Sequence, residues 1–237
     1  MLHVYCITYK NLGRRDRMRQ RFDTLGLEYT FVESVDAFDP EIIPPLESRN
    51  TAIEGRWNPK GYSALWGHMM AFQQMLDHGH EQAIICEDDI MMRTDFLNHL
   101  PAMLLEFQKR PLDILLLGYL TTEPPLQTSW AFDKQQEIFG YFNYPDHHWG
   151  VQQYIISHHY ARHLLRYFGL DYAHASMTNA QLQPYSTDWI ISKMTQKRAM
   201  ISPQLAVEEC PPNIYEGSDT LYHYNCHVAN YIPGLHI

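Results

Sequence analysis

The tetrapeptide Cys86-Glu87-Asp88-Asp89 closes the apolar run Ala83-Ile84-Ile85. The apolar residues read as a short buried strand, and acids stacked at its carboxyl end are poor core material. In open α/β sheets, ligands gather at the carboxyl ends of strands. Crowded carboxylates repel one another unless a cation lies between them. Hard oxygen ligands suit Mg²⁺ or Mn²⁺ carrying phosphates. The run therefore points to a metal-dependent enzyme that handles a nucleotide diphosphate. The bland alternatives are a polar strand end facing water and an acid cluster at a helix N-cap.

Two further clusters have the composition of a binding site. Thr8-Tyr9-Lys10-Asn11-Leu12-Gly13-Arg14-Arg15-Asp16-Arg17 puts arginines and a lysine where a strand meets a helix. A helix N-terminus favours anions and opposes arginine, so this placement suggests phosphate or base contact. A solvated basic helix face, continued by Arg19 and Arg21, is the alternative. Gly61-Tyr62-Ser63-Ala64-Leu65-Trp66-Gly67-His68 carries small residues that let a backbone or ligand approach closely. Trp66 and His68 could stack on or bond to a ligand, although ordinary packing accounts for Trp66. The chain contains neither Gly-x-Gly-x-x-Gly nor Gly-x-x-x-x-Gly-Lys-Ser/Thr, which excludes dinucleotide and P-loop readings.

The elements that must position these residues follow from periodicity. His3–Thr8, helix Arg14–Leu25 stopped by Gly26, and Glu28–Val35 make a parallel βαβ unit. Asp39–Lys60 reads as a long loop and Tyr62–His78 as a helix. After the acid-tipped strand come a helix Asp95–Lys109 capped by Thr94 and a strand Asp113–Leu117 turned by Gly118. Thr121–Tyr144 reads as irregular, Val151–Ile156 as a strand, and His158–Phe168 as a helix behind the cap Ser157. Tyr172–Tyr185 reads as a loop, Thr187–Gln196 as a short helix, and the remainder as loops with short strands. The order gives an α/β sandwich with a mixed sheet.

Composition narrows the class. The 237 residues fit one large domain, and 18 basic against 27 acidic residues give −9, which argues against general nucleic-acid binding. Cys6, Cys86, Cys210 and Cys226 form no Cys-x-x-Cys pair. They read as reduced thiols, with two disulfides the alternative. The N-terminus reads directly as a strand without a leader, and no apolar stretch reaches the length of a membrane span. The expected location is the cytoplasm, with attachment at a membrane surface left open.

Five segments then occur in an order that resembles glycosyltransferase family 25: Val4–Thr8 through Arg14–Arg17, Phe31–Ala37, Ser63–His68, Ile84–Ile90 and Asp113–Gly118. Gly150–Leu165 resembles the later strand–helix unit of that family, and Ser186-Thr187-Asp188-Trp189 its Pro-Val-Asp-Trp segment. The family includes lipopolysaccharide galactosyltransferases and collagen hydroxylysine galactosyltransferase domains. The resemblance implies a GT-A-like, Rossmann-related α/β/α sandwich with a mixed, mainly parallel sheet. It implies a UDP-sugar donor and inversion at the anomeric carbon. The Glu-Asp-Asp run would replace the Asp-x-Asp motif. Asp89 would ligate Mn²⁺ or Mg²⁺, Glu87 would bind the ribose or, through water, the metal, and Asp88 would face the donor sugar. Ile7, Thr8 and Tyr9 with Arg14 and Arg17 would hold the nucleotide, Asp36 would lie near its base or ribose, and His68 belongs to the same donor set. His223-Tyr224-Asn225 is similar to the His-Gly-Asn of lysyl hydroxylase glycosyltransferase domains, which implies His223 as a further metal ligand; His227 in that role, or a plain surface histidine, are the alternatives. The family pattern Gly-Glu-Ile/Leu-Gly-Cys-Ala-Leu-Ser-His is broken at Gly61, Ser63 and Gly67.

Inversion needs a carboxylate base opposite the leaving group. Asp188 is the candidate, with Trp189 available to pack on a sugar ring; the alternative is that Asp188 only N-caps its helix. The expectation is a single domain over 1–237, with 1–120 binding the nucleotide sugar and 121–237 the acceptor. It would move galactose or glucose from a UDP-sugar to a hydroxyl of a glycan, glycolipid or hydroxylysine-type protein acceptor. A nucleotidyltransferase or phosphohydrolase using the same acids, and a non-catalytic sugar-binding module, are the competing readings.

Overall fold

The computed structural model describes residues 2–39, 42, 44, 49–123, 139–210 and 218–237. In chain order the elements are β1 (Val4–Thr8), α1 (Leu12–Leu25), β2 (Tyr29–Glu33), α2 (Pro59–Asp77), β3 (Gln82–Glu87) and β4 (Ile90–Met92). They continue with α3 (Phe96–Lys109), β5 (Ile114–Leu120), β6 (Gly140–Asn143), β7 (Trp149–Ser157), α4 (His158–Tyr167) and α5 (Leu170–Thr178). A π-helical segment (Asp188–Lys193), β8 (Arg198–Ser202), β9 (Ala206–Glu208) and α6 (Ser218–Asn230) complete the described chain.

Strands order as β2-β1-β3-β7-β5-β8-β6 in one sheet, and β4 pairs with β9 in a second. β2, β1 and β3 run parallel, as do β5 and β8, while β7 opposes β3 and β5 and β6 opposes β8. The sheet is therefore mixed and mainly parallel, with helices on both faces, as the resemblance implies. Central strands covered on both sides must be apolar at every position, and β1, β5 and the middle of β3 are buried without alternation.

Side-chain parity assigns the faces. Tyr5, Ile7, Ala83 and Ile85 pack with α2, α4 and the π-helical segment, whereas Val4, Cys6, Ile84 and Cys86 pack with α1 and α3. Glu87, two residues beyond Ile85, therefore emerges on the α2 face, where His68 lies 3.5 Å from its Oε1.

Local signals read correctly where their partners are local. Ser157 caps α4, as expected, by accepting from Tyr160, while Asn11 and Asn58, not expected as caps, start α1 and α2 earlier than the sequence suggests, at Leu12 and Pro59, by accepting from Arg14 and Gly61 backbone N–H groups. Elsewhere tertiary contacts override the sequence reading. Gly118 does not turn the chain: β5 runs through it to Leu120, and a Cβ there would lie 2.8 Å from the Ala206 carbonyl oxygen. Thr94 does not cap α3; Asp95 holds the N-cap position, with its carboxylate turned to Arg93 and His99. The expected loop Tyr172–Tyr185 begins inside α5, the expected irregular stretch holds β6, and the C-terminal region contains the helix α6. Parts of two expected loops, residues 40, 41, 43 and 45–48 and residues 124–138, lie outside the described residues. All four cysteines are free, and Cys6 and Cys86 are directly opposite one another on β1 and β3. Among the described residues no helix is long and apolar enough to cross a membrane.

Candidate active site

The parallel register of β2, β1 and β3 brings their carboxyl ends to one edge, with Thr8 opposite Glu33 and Ile7 opposite Glu87. A cavity of about 680 Å³ opens there. Its walls include nine of the residues expected from sequence: Ile7, Thr8, Tyr9, Arg14, Asp36, His68, Glu87, Asp88 and Asp89. Ser34, Ala37, Phe38, Lys60, Ser63 and Ala64 complete the lining. Arg17 is not on the wall. It lies one turn beyond Arg14 on α1, and its Nε donates to Glu209 at 3.2 Å. Trp66 packs against the core, so ordinary helix packing accounts for it.

The donor-side wall is held by side chains bonding to neighbouring segments. Tyr9 Oη donates to Asp36 Oδ2 at 2.5 Å, and the Phe38 N–H donates to Asp36 Oδ1 at 2.9 Å. Asp36 thus ties the β1 exit to the turn after β2, leaving Phe38 62% exposed at the rim. Ser34 Oγ donates to the Ser63 carbonyl and Ser63 Oγ to that of Val35, which fastens the start of α2 to the end of β2. Thr8 is buried, yet its Oγ1 has no hydrogen-bond partner. A buried hydroxyl without a partner is costly, and a ligand in the cavity would supply one.

The acid cluster is larger than the sequence suggested. Asp88 and Asp89 form the turn from β3 into β4, and β4 pairs with β9 so that Glu208 stands opposite Ile90. The Glu209 N–H donates to the Asp89 carbonyl at 2.5 Å, which locks β9 to the acid turn. Glu208 is the residue that sequence reasoning missed. Its signal, an acid closing the apolar pair Ala206-Val207, repeats the pattern of Glu87 in miniature. Its position beside Glu87 comes only from the β4–β9 ladder. Burial, reinforced by the charges of Glu208, Asp188 and Asp88, pushes the Glu87 carboxyl up to about 8. Burial and the charges of Glu87 and Glu208 push Asp89 up to about 8 as well, against the pull of Arg14.

Arg14 offsets this negative charge, and two histidines bond to its acids. Arg14 Nη1 donates to Asp89 Oδ2 at 3.0 Å and to Asp88 Oδ1 at 3.3 Å. His223 on α6 donates from Nδ1 to Glu208 Oε2 at 2.6 Å, and that bond is the main reason its pKa is raised. The bond leaves Nε2 as the second ring nitrogen available to the acids. His68 is buried, which holds its pKa down to about 3 and keeps the ring neutral. Its Nδ1 lies 2.7 Å from Tyr154 Oη. With the phenol donating to Nδ1, the proton of the neutral ring sits on Nε2 and faces Glu87.

These groups suit a divalent cation in chemistry: carboxylate oxygens with an imidazole nitrogen fit Mn²⁺. Asp89 Oδ1 is buried and without a partner. Among the described residues no three His, Cys, Asp or Glu side chains converge closely enough to hold an ion as they stand. The guanidinium of Arg14 bridges the two aspartates.

Asp188 and His223 are not among the residues lining the cavity; Asp188 opens the π-helical segment but does not cap it. Its Oδ1 accepts from the Gly150 N–H at 2.5 Å, so β7 fixes its position, and burial raises its pKa. π-helical turns recur at functional sites. Next to Asp188, Trp189 meets Trp149 edge-on at 6.1 Å, and Lys193 Nζ lies 3.2 Å from the Trp149 ring centre. Trp149 is 38% exposed.

The family model of glycosyltransferase family 25, described as LPS biosynthesis protein, matches residues 1–177. No curated protein matches the sequence. Among solved structures, the chain is similar to mannose-1-phosphate geranyltransferase from Thermus thermophilus, at 11% identity and a TM-score of 0.38 over 85% of this chain and 74% of that one. It is also similar to an apo UDP-glucose pyrophosphorylase, at 10% identity and a TM-score of 0.39 over 96% of this chain and 80% of that one. Likeness at this level says nothing about activity.

Proposed function

The chain belongs to glycosyltransferase family 25, and from that premise we propose that it moves a hexose, galactose or glucose first, from a UDP-sugar to an acceptor hydroxyl with inversion. The acceptor would be a glycan, a glycolipid or a hydroxylysine-type side chain. The observation that carries this reading is the cavity at the carboxyl ends of β1, β2 and β3, where an acid cluster and Arg14 share one wall. All of its lining residues fall within 1–120, consistent with a donor-binding first half.

Phe38 and Tyr9, set by Asp36, flank the space for the base. Thr8 offers its unpartnered hydroxyl, and Arg14 its charge, to the ribose–diphosphate. Asp89 and Glu87, with His223 oriented by Glu208, would hold Mn²⁺ or Mg²⁺. Bound there, such a cation would supply Lewis-acid stabilisation to the departing diphosphate. His68, neutral and donating toward Glu87, keeps that carboxylate oriented. Asp188 takes the proton of the acceptor hydroxyl. Its raised pKa moves it toward the working pH, as a general base requires. Trp149 and Trp189 present an aromatic surface beside that base on which an acceptor sugar ring can stack.

Asp188→Asn tests the assignment. It is expected to leave UDP binding intact and to lower transfer by about 10²–10⁴-fold, the usual contribution of a general base. Near-normal turnover would clear Asp188 of the role.

A further inference from the structure

Arg14 occupies an unusual place. A residue expected to hold phosphate instead spans two aspartates, 3.0 Å from Asp89 and 3.3 Å from Asp88. One guanidinium here does what a divalent cation would do: it sits between carboxylates that otherwise repel. We infer that Arg14 is a stand-in cation that must be displaced when metal enters, so that metal and nucleoside diphosphate bind interdependently. The inference rests on the cation site of the proposed function.

The geometry supplies each step. The Arg14 backbone is pinned, since its N–H donates to the Asn11 Oδ1 cap at 3.1 Å. Only the side chain needs to move, and it is 40% exposed while the Asp88 and Asp89 side chains are 10% and 20% exposed. A divalent ion drawn to the open Asp89 Oδ1 repels the guanidinium held on Oδ2 of the same carboxylate. The displaced guanidinium needs a new anion, and a diphosphate in the cavity is one. The planar fork of arginine matches phosphate oxygens in pairs. Without nucleotide, metal must evict Arg14 into water; with nucleotide, the eviction is offset. The bridged arrangement is also incomplete in its own terms, because Asp89 Oδ1 and Thr8 Oγ1 are left without partners. Both find partners when cation and nucleotide arrive together.

The test reads metal binding, not turnover. Free Mn²⁺ is titrated by electron paramagnetic resonance with nucleotide-free native protein, Arg14→Ala and Arg14→Lys, and UDP affinity is then measured at saturating Mn²⁺. Removing the stand-in cation is expected to tighten nucleotide-free Mn²⁺ binding by about tenfold, within the roughly 5–150-fold range usual for coupled sites. The same change is expected to weaken UDP binding, and Arg14→Lys, which keeps the charge without the fork, should fall between. Effects of opposite sign on the two ligands separate the proposal from general damage to the site. Mn²⁺ binding that is unchanged or weaker in Arg14→Ala overturns the proposal while leaving the cation site standing. No Mn²⁺ binding by any of the three proteins, with or without UDP, overturns the cation site and the proposal together.

Discussion

Gly67→Ala probes how tightly the donor wall is built. A Cβ at Gly67 would lie 2.7 Å from Ser34 Oγ, 2.8 Å from Ile7 Cγ2 and 3.1 Å from Ser34 Cβ. Alanine in a helix interior gains about 1 kcal/mol over glycine. Overpacking costs about 1–3 kcal/mol. The Ser34 hydroxyl can rotate away only by losing its bond to the Ser63 carbonyl, worth about 1 kcal/mol. Ile7 is β-branched and stiff, so its methyl cannot simply turn aside. The balance is a net loss of about 1–3 kcal/mol, dominated by overpacking and the broken bond. Because Ile7 and Ser34 line the cavity, the displacement reaches the ligand. UDP binding is expected to weaken by about five- to tenfold, the equivalent of about 1–1.4 kcal/mol. Urea unfolding measures the first quantity and calorimetric titration of UDP the second. Ser34→Ala in the same chain should recover part of the stability, with a coupling of about 1 kcal/mol. An alanine variant more stable than the native chain, with unchanged UDP affinity, would refute the reasoning.

Two other outcomes are expected. Glu87 and Asp89 are raised to about 8, so the folded chain without metal binds more protons than the unfolded chain between about pH 4 and 8, and its stability must fall as pH rises through that window. Each fully shifted carboxyl would contribute about 1.4 kcal/mol per pH unit, reduced to about 1 kcal/mol for the pair together by solvent at the open cavity. Urea unfolding in EDTA from pH 6 to 8 should show that slope and Mn²⁺ should flatten it; a stability that rises with pH would contradict the placement of these acids. Trp149→Ala is expected to raise KM for the acceptor by about tenfold, about 1.4 kcal/mol of lost contact, while leaving KM for the donor unchanged. A rise in donor KM alone would move Trp149 out of the acceptor site.

What the sequence disclosed, and what it withheld, divides by the range of the interactions. β1, α1, β2 and the Ser157-capped α4 were legible because periodicity and caps are short-range signals. The acid cluster was legible because its three members are contiguous. Gly118 resembled a turn because a glycine required by the close approach of Ala206 looks the same in sequence as one required by a bend. α5 and α6 were missed because their sequences mix polar and apolar residues without a clear apolar stripe; α6 buries Cys226 and reaches the site through His223 and His227. Glu208 was invisible for the same reason, since only the pairing of β4 with β9 brings it to Glu87. The role of Asp188 could not be decided locally: a cap and a positioned base share one sequence pattern, and the Gly150 N–H bond removes only the cap.

The proposed chemistry requires a cation and a sugar–diphosphate to meet at Glu87 and Asp89. The most direct test is product analysis by chromatography, with purified protein, UDP-galactose or UDP-glucose and a glycan acceptor, in Mn²⁺ and in EDTA. UDP and a glycosylated acceptor should form in Mn²⁺, and both should vanish in EDTA. Undiminished transfer in EDTA, or pyrophosphate released from UTP and a sugar 1-phosphate in place of UDP, would contradict it.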